Sequence, residues 1–115
     1  MRGGIEWLID ASGCAPAPSR DRAAVLALLD DVVREMELRV VATSSHAFGG
    51  HGGITALYLL AESHLAIHTF PEAGAATLNL YCCTPRTAVD WRAMLARHLG
   101  ATAIEVRELR RGGGP

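Results

Sequence analysis

The residues with the clearest chemical potential lie between positions 61 and 72, in the segment AESHLAIHTFPE. Ser63 supplies a hydroxyl nucleophile, and His64 and His68 supply imidazoles that exchange protons near neutral pH. Glu62 and Glu72 supply carboxylates for acid or base work. Because the residues between them are mostly apolar, as in a half-buried strand, the segment predicts covalent or acid–base chemistry carried on a strand.

Three other kinds of site use the same residue types. On a strand, His64 and His68 lie about 13 Å apart at about 3.3 Å per residue, too far to share one zinc ion, and we predict no metal site. The loop HAFGGHGG, residues 46–53, is glycine-rich but lacks the Gly-Lys-Ser/Thr ending of a phosphate-binding loop. No G-x-S-x-G motif surrounds any serine, so a hydrolase nucleophile elbow is not indicated.

The basic and sulfur-containing residues exclude lysine-dependent catalysis and a disulfide-bonded scaffold. All eleven basic residues are arginines, so the chain has no lysine to hold pyridoxal phosphate as a Schiff base. The three cysteines are odd in number and two of them are adjacent, which is not a disulfide framework. We therefore expect a cytoplasmic protein with reduced thiols.

Length and charge limit the size of the fold and its partners. A chain of 115 residues is long enough for one compact domain and too short for two. We assign residues 1–115 to a single domain, folded over roughly 4–110, with 111–115 as a disordered tail. The net charge of −1 and the absence of an apolar run near 18 residues favour neither a nucleic-acid partner nor a membrane.

The periodicity of apolar residues predicts two helices. One carries apolar positions from Val25 to Met36 and has Ser19 as its expected N-cap, and the other begins with a capping box at Thr87 and ends at Gly100. The strands are expected at about 5–10, 38–43, 54–61, 64–70, 75–83 and 102–108. The order βαββββαβ predicts an α+β fold, a two-layer sandwich of a mainly antiparallel sheet with two helices on one face.

Strand alternation assigns the chemical residues to the sheet face away from the helices. Leu65 and Ile67 share the core parity, whereas His64, His68 and Phe70 share the other. In the next strand Leu78, Leu80 and Cys82 take the core parity, and Thr77, Asn79, Tyr81 and Cys83 the open one. Alternation therefore selects Cys83 over Cys82, and leaves one sheet face open to a ligand or a second subunit.

Residues 62–83, ESHLAIHTFPEAGAATLNLYCC, resemble the prokaryotic S-adenosylmethionine decarboxylase proenzyme family, the pyruvoyl-dependent enzymes of spermidine synthesis. The shared motifs are Glu-Ser-His, then Ile-His-Thr with an aromatic residue, Pro and Glu, then a cysteine at the end of the following strand. Looser similarity covers HAF in the preceding loop and the helix WRAMLARHLGA.

The resemblance implies a self-processing decarboxylase. The chain would cut itself between Glu62 and Ser63, and Ser63 would become a covalent pyruvoyl group, the only cofactor we expect. Its carbonyl would form a Schiff base with the substrate amine and accept the electron pair left by CO₂. The family pattern assigns His68 to processing and Cys83 to reprotonation of the product carbon.

The resemblance also implies a substrate and an assembly. Phe48 and Phe70 would stack the adenine of S-adenosylmethionine, Glu72 would bind its ribose, and processed protomers would form homodimers with sites near the interface. The product would supply the aminopropyl donor for spermidine synthesis. This chain departs from the family at Phe70, where Trp is usual, and at Asn79, where Asp is commoner.

Two further interpretations remain open from the residues. The same pyruvoyl chemistry could act on another amino acid, such as arginine or ornithine, because specificity depends on the pocket. Alternatively, the domain could be a non-catalytic binding or dimerisation module that keeps the Glu-Ser-His sequence without using it. Release of CO₂ from each substrate distinguishes the enzymes, and an uncut chain indicates the module.

Overall fold

The computed structural model describes residues 3–84 and 86–112. The elements, in chain order, are β1 (Gly4–Ser12), α1 (Pro16–Ser19), α2 (Arg22–Glu35), β2 (Val40–Ala47), β3 (Ile54–Leu60), β4 (His64–Phe70), β5 (Ala75–Cys82), α3 (Trp91–Leu99) and β6 (Ala103–Arg111). A single 3-10 turn, Pro71–Ala73, lies between β4 and β5. The predicted order βαββββαβ is confirmed, with the short α1 and the 3-10 turn as additions.

All six strands form one antiparallel sheet in the order β2-β3-β4-β5-β1-β6. Consecutive strands from β2 to β5 pair with their neighbours, and β1 inserts between β5 and β6. The helices cover one face, so the predicted α+β two-layer sandwich is confirmed. β4, which carries His64, His68 and Phe70, lies inside the sheet and has hydrogen-bonded neighbours on both sides.

The hydrophobic core lies between the sheet and the two long helices. Its fully buried side chains come from both layers, and include Ile9, Leu65, Ile67, Leu80, Val25, Leu28, Leu29, Val32, Leu95 and Leu99. Burial of each such aliphatic side chain contributes about 1.5–3 kcal/mol relative to exposure. The alternation predicted for β4 and β5 is confirmed, since Leu65, Ile67, Leu78 and Leu80 are buried whereas His68 and Thr77 are exposed.

Both helix starts differ from the predictions by a few residues. Asp21 caps α2 by accepting a hydrogen bond from the Ala23 N–H, whereas Ser19 is buried in α1 and donates to the Ala15 carbonyl. Asp90 caps α3 in the same way through the Ala93 N–H. An aspartate next to the first helical turn also interacts favourably with the helix dipole, so it displaces the more distant serine or threonine.

The last strand continues further toward the C-terminus than the sequence predicted. Arg111, which we assigned to the tail, is the last residue of β6 and lies opposite Gly4 of β1. Residues 113–115 of the predicted tail lie outside the described residues. Within the described ranges, none of the helices is long and apolar enough to cross a membrane.

Candidate active site

The predicted site residues fall into two groups at opposite ends of β4. The N-terminal group, which we name the cleavage end, comprises Glu62, Ser63 and Cys83. The other group, which we name the loop end, comprises Phe48, His68, Phe70 and Glu72. Ser63 and His68 are five positions apart, which is about 16 Å along a strand. One protomer therefore does not bring the two groups together.

A tight turn forms the cleavage end. Residues 61–63 connect β3 to β4, and the Leu60 N–H donates to the Ser63 carbonyl across the turn at 2.9 Å. The Ala61 N–H donates to the Arg39 carbonyl, also at 2.9 Å, which ties the turn to the start of β2. The peptide bond between residues 62 and 63, at which the family resemblance predicts cleavage, thus lies in a short turn that is held on both sides.

The β4–β5 register brings the two adjacent cysteines to this turn. His64 pairs with Tyr81, so the next positions place Ser63 opposite Cys82 and Glu62 opposite Cys83. The Cys83 thiol donates a hydrogen bond to the carbonyl oxygen of Glu62. A donor at this oxygen would stabilise the negative charge that develops when a nucleophile attacks the carbonyl carbon.

Cys82 is a neighbour of the site that sequence parity did not reveal. Its side chain is buried on the helix side, as predicted, yet its thiol lies close enough to the Ser63 side chain for that contact to influence the pKa of the thiol. Burial raises the pKa of the Cys82 thiol, and the Ser63 contact and the charge of Arg86 partly oppose this rise. Cys82 is therefore a neutral thiol beside the nucleophile, and only the cross-strand register could have identified it.

A pocket of about 300 Å³ opens at the cleavage end. Its wall is formed by residues from four segments: 37–39, 60–63, 82–84 and Arg86. The Thr84 hydroxyl donates to the Glu62 carboxylate at 3.1 Å, which directs that side chain across the mouth. The pocket gives a small substrate access to Ser63 and both thiols.

At the loop end, residues 48–53 form a closed loop against the 3-10 turn. The Phe48 N–H donates to the Gly53 carbonyl at 2.9 Å. Gly53 also donates its N–H to Nδ1 of His51, whose ring lies 3.5 Å from a carboxylate oxygen of Glu72. His51 was absent from the predicted site, because nothing in the sequence determined the shape of this glycine-rich loop.

The loop end combines exposed aromatic rings with a carboxylate. The rings of His46 and Phe48 pack edge to face with their centroids 4.5 Å apart, and the centroids of the Phe48 and His51 rings lie 5.6 Å apart. Phe48 and Phe70 are 44% and 40% exposed, which is unusual for phenylalanine and leaves their faces free to stack on a planar ligand. Glu72 is exposed beside them and can accept hydrogen bonds from hydroxyl groups.

His68 lies on the open face, where its Nδ1 is 2.9 Å from the Thr55 hydroxyl of β3. This is the only hydrogen bond of its side chain among the described residues, and Nε2 is available for a further partner. Across the described ranges, no group of three or more histidine, cysteine, aspartate or glutamate side chains could hold a metal ion.

Comparisons with known proteins place this geometry in a family. The model of a family described as S-adenosylmethionine decarboxylase matches residues 5–112. A relative from Pyrobaculum arsenaticum, named S-adenosylmethionine decarboxylase proenzyme, is 35% identical over 98 residues, which are 82% of this chain and 76% of the relative. One from Pyrobaculum islandicum with the same name is 35% identical over 69% of this chain, and the match spans 66% of that relative's length.

A solved structure supports the same assignment. The crystal structure of the adenosylmethionine decarboxylase from Aquifex aeolicus superimposes with a TM-score of 0.82 and 28% identity. The superposition covers 99% of this chain and 94% of the other. The similarity therefore includes every element described above and both ends of β4.

Proposed function

This chain belongs to the S-adenosylmethionine decarboxylase family, and from this membership we propose that it cleaves itself between Glu62 and Ser63 and then decarboxylates S-adenosylmethionine. The observation that best supports the self-cleavage is the hydrogen bond from the Cys83 thiol to the Glu62 carbonyl. It marks the carbonyl that the neighbouring Ser63 hydroxyl would attack.

Self-cleavage proceeds in two stages. Ser63 Oγ bonds to the carbonyl carbon of Glu62, the peptide C–N bond breaks, and the hydroxyl proton moves to the nitrogen, which leaves an ester. A base then removes the Cα proton of Ser63, the Cβ–O bond breaks, and Glu62 departs as a carboxylate. The resulting dehydroalanine is hydrolysed: the oxygen of a water molecule replaces its nitrogen, which leaves as ammonia. Residue 63 thereby becomes a pyruvoyl group.

The surroundings of Ser63 fit a small covalent carbonyl group. Its side chain borders the pocket at the cleavage end, and the cysteines beside it are free. The pyruvoyl carbonyl would withdraw electrons from the substrate as CO₂ leaves. Cys83 would then give a proton to the carbon that lost CO₂, and Thr84 would keep the Glu62 carboxylate at the mouth of the pocket.

The loop end would bind the nucleoside part of the substrate. Phe48 and Phe70 would stack the adenine, and Glu72 would accept hydrogen bonds from the ribose hydroxyls. Phenylalanine at position 70 gives a smaller stacking surface than the tryptophan usual in the family. The hydrogen bonds of the closed loop support this role because they hold His51 next to Glu72 and Phe48 next to His51.

A homodimer would unite the two ends of the site. The separation of about 16 Å along β4 is too long for His68 to reach the Ser63 of its own chain, so the partner subunit's His68 would act there. The open sheet face supports such pairing, because Leu57 and Leu59 are 46% and 51% exposed on it. We also place the enzyme in the cytoplasm, where free cysteines such as these remain reduced.

The denatured mass of the purified chain, measured before and after borohydride reduction, tests the proposal. We expect two fragments divided after Glu62, with the C-terminal fragment carrying a reducible carbonyl, and one intact chain for Ser63→Ala. Release of CO₂ from S-adenosylmethionine, arginine and ornithine then identifies the substrate. An intact wild-type chain would overturn the self-cleavage, and preference for a basic amino acid would overturn the adenosyl substrate.

A further inference from the structure

A chain of hydrogen bonds crosses the open face from β6 to the residue after Ser63. Arg111 of β6 donates to one carboxylate oxygen of Glu6 on β1, and the Asn79 amide of β5 donates to the other. Asn79 Oδ1 in turn lies 2.8 Å from Nε2 of His64 on β4. Four strands thus contribute one side chain each to a continuous line that ends beside the cleavage site.

The chemistry of the carboxylate sets the direction of every bond in this line. A carboxylate only accepts, so the amide NH₂ of Asn79 faces Glu6 and its oxygen faces His64. Nε2 of His64 must then carry a proton and donate it to Asn79. The Glu6 side chain is 13% exposed, and it has a donor on each oxygen.

Cleavage removes one of the two chain connections that hold residue 63, and this line of hydrogen bonds can hold the residue in place afterwards. Before cleavage, the turn at residues 61 and 62 holds Ser63 from one side and β4 holds it from the other. After cleavage, residue 63 is a chain end, and chain ends fray unless side chains or strand pairing hold them. Residue 63 must nevertheless stay within reach of the neighbouring Cys83 thiol during every turnover.

We propose that Arg111, Glu6 and Asn79 clamp His64 so that the new chain end stays aligned with Cys83 after cleavage. The inference rests on the proposed function, since it concerns the site that self-cleavage creates. His64 is a positioning residue, because its backbone nitrogen is covalently bonded to the pyruvoyl group and fixing its side chain therefore fixes that group. Arg111, Glu6 and Asn79 act through His64. The clamp matters for turnover and not for cleavage, because the uncut turn still holds Ser63.

The test separates cleavage from turnover in two variants. Asn79→Leu removes both hydrogen bonds at nearly the same size, and Arg111→Gln removes the charge that orients Glu6. We expect both to cleave fully and to carry a borohydride-reducible fragment. For Asn79→Leu we expect kcat to fall between about tenfold and about 100-fold with KM nearly unchanged, as for small misplacements of reacting groups, and for Arg111→Gln a smaller loss of kcat.

Two controls distinguish the loss of the clamp from a general disturbance of the open sheet face. Arg107→Gln removes a comparable ion pair between β6 and β1, in which Arg107 contacts Asp10 at 3.1 Å, and should leave kcat unchanged. At position 64, His64→Gln retains a donor for the Asn79 oxygen and should keep most activity, whereas His64→Leu should not.

The ¹⁵N chemical shifts of His64 in an uncut Ser63→Ala chain should show the proton on Nε2. The same chain with Asn79→Leu added should lose that preference.

The possible results distinguish this inference from the function on which it rests. If the wild-type chain never cleaves, both the proposed function and the clamp are overturned. If the wild type cleaves and Asn79→Leu has unchanged kcat, or if Asn79→Leu fails to cleave while folded, the clamp alone is overturned. A proton on Nδ1 of His64 would also contradict it.

Discussion

At the scale of single residues, two neighbouring cysteines differ because a strand alternates its side chains. Cys82 points into the core and Cys83 is partly exposed, yet the register places both opposite the susceptible peptide. Cys83 contacts the Glu62 carbonyl in the uncut chain, and the same thiol is the proposed proton donor during turnover. It would therefore act in both stages of the reaction.

Replacing Cys83 should separate these two stages. Cys83→Ala removes the donor to the Glu62 carbonyl, so we expect cleavage to slow about tenfold, less than for a strong oxyanion donor because a thiol is a weak one. Decarboxylation by the cleaved variant should be nearly lost. Time courses of chain cleavage and CO₂ release measure the two effects. Cys14→Ala, at a buried thiol outside the site, is the control, and equal CO₂ release by the Cys83 variant would contradict the assignment.

At the scale of elements, the two long helices are joined by one carboxylate. Asp31 of α2 contacts Arg97 at 2.9 Å and His98 at 2.8 Å on α3, and it also pairs with Arg34 on its own helix. The hydrogen bond from His98, followed by the charges of Arg34 and His98, lowers the pKa of Asp31. The charged carboxylate is therefore more stable in the folded state than in the unfolded chain.

This lowered pKa predicts how stability changes with pH. The contribution of Asp31 is complete above the ordinary aspartate pKa of about 3.9 and is lost as the pH falls through the lower folded value. We expect Asp31→Asn to reduce Tm at pH 7, and the difference from wild type to shrink below about pH 4. Thermal unfolding at several pH values measures this. Glu35→Gln, exposed on the same helix, should show no such trend, and a constant Tm difference down to the lowest pH would disprove the linkage.

The loop of residues 48–53 has a defined path, which depends on the close packing of Gly53. A Cβ on Gly53 would lie 2.6 Å from the Thr69 carbonyl oxygen, which is backbone and cannot move aside. Gly53→Ala should displace His51 and Phe48 from Glu72, and raise KM for S-adenosylmethionine severalfold with less effect on kcat. Gly49→Ala, where a Cβ meets nothing within 4 Å, is the matched control. Steady-state kinetics on cleaved protein compare them, and equal KM values would refute the role of the loop.

At the scale of the whole molecule, the open face and the divided site lead to the same expectation. One layer of helices covers only one face of the sheet, and the other face carries exposed leucines together with His68. A second copy would cover this face and bring a loop end to each cleavage end. We expect a dimer by light scattering at micromolar concentration, and a monomer would refute it.

Mixed dimers test whether the site is shared between chains. A Ser63→Ala chain has no nucleophile and a His68→Ala chain has no processing histidine, so neither should cleave alone. When the two are expressed together, the His68→Ala chain should be cut at its own Ser63, since its partner supplies the histidine. The masses of the two differently tagged chains report this. Cleavage of His68→Ala alone would remove His68 from processing, and no cleavage in the mixture would place the whole site in one protomer.

The sequence alone determined the fold and the direction of most side chains. Helical and strand periods reflect local backbone geometry, so the order βαββββαβ and the two faces of β4 and β5 could be predicted from letters. The same local patterns placed Glu62 and Ser63 at a turn before β4. Helix starts were wrong by two or three residues, because Asp21 and Asp90 compete with Ser19 and Thr87 and the spacing does not decide between such caps.

Only the tertiary structure decided which distant residues meet. The contact of Cys83 with Glu62 and the line from Arg111 to His64 join residues 15 to 105 positions apart along the chain, and strand order and register determine these contacts. The path of the loop around His51 likewise depends on its packing against Thr69 and Arg20. The separation of Ser63 from His68 follows from strand geometry, and the proposal that a second copy bridges it rests on the sheet face that the helices leave uncovered.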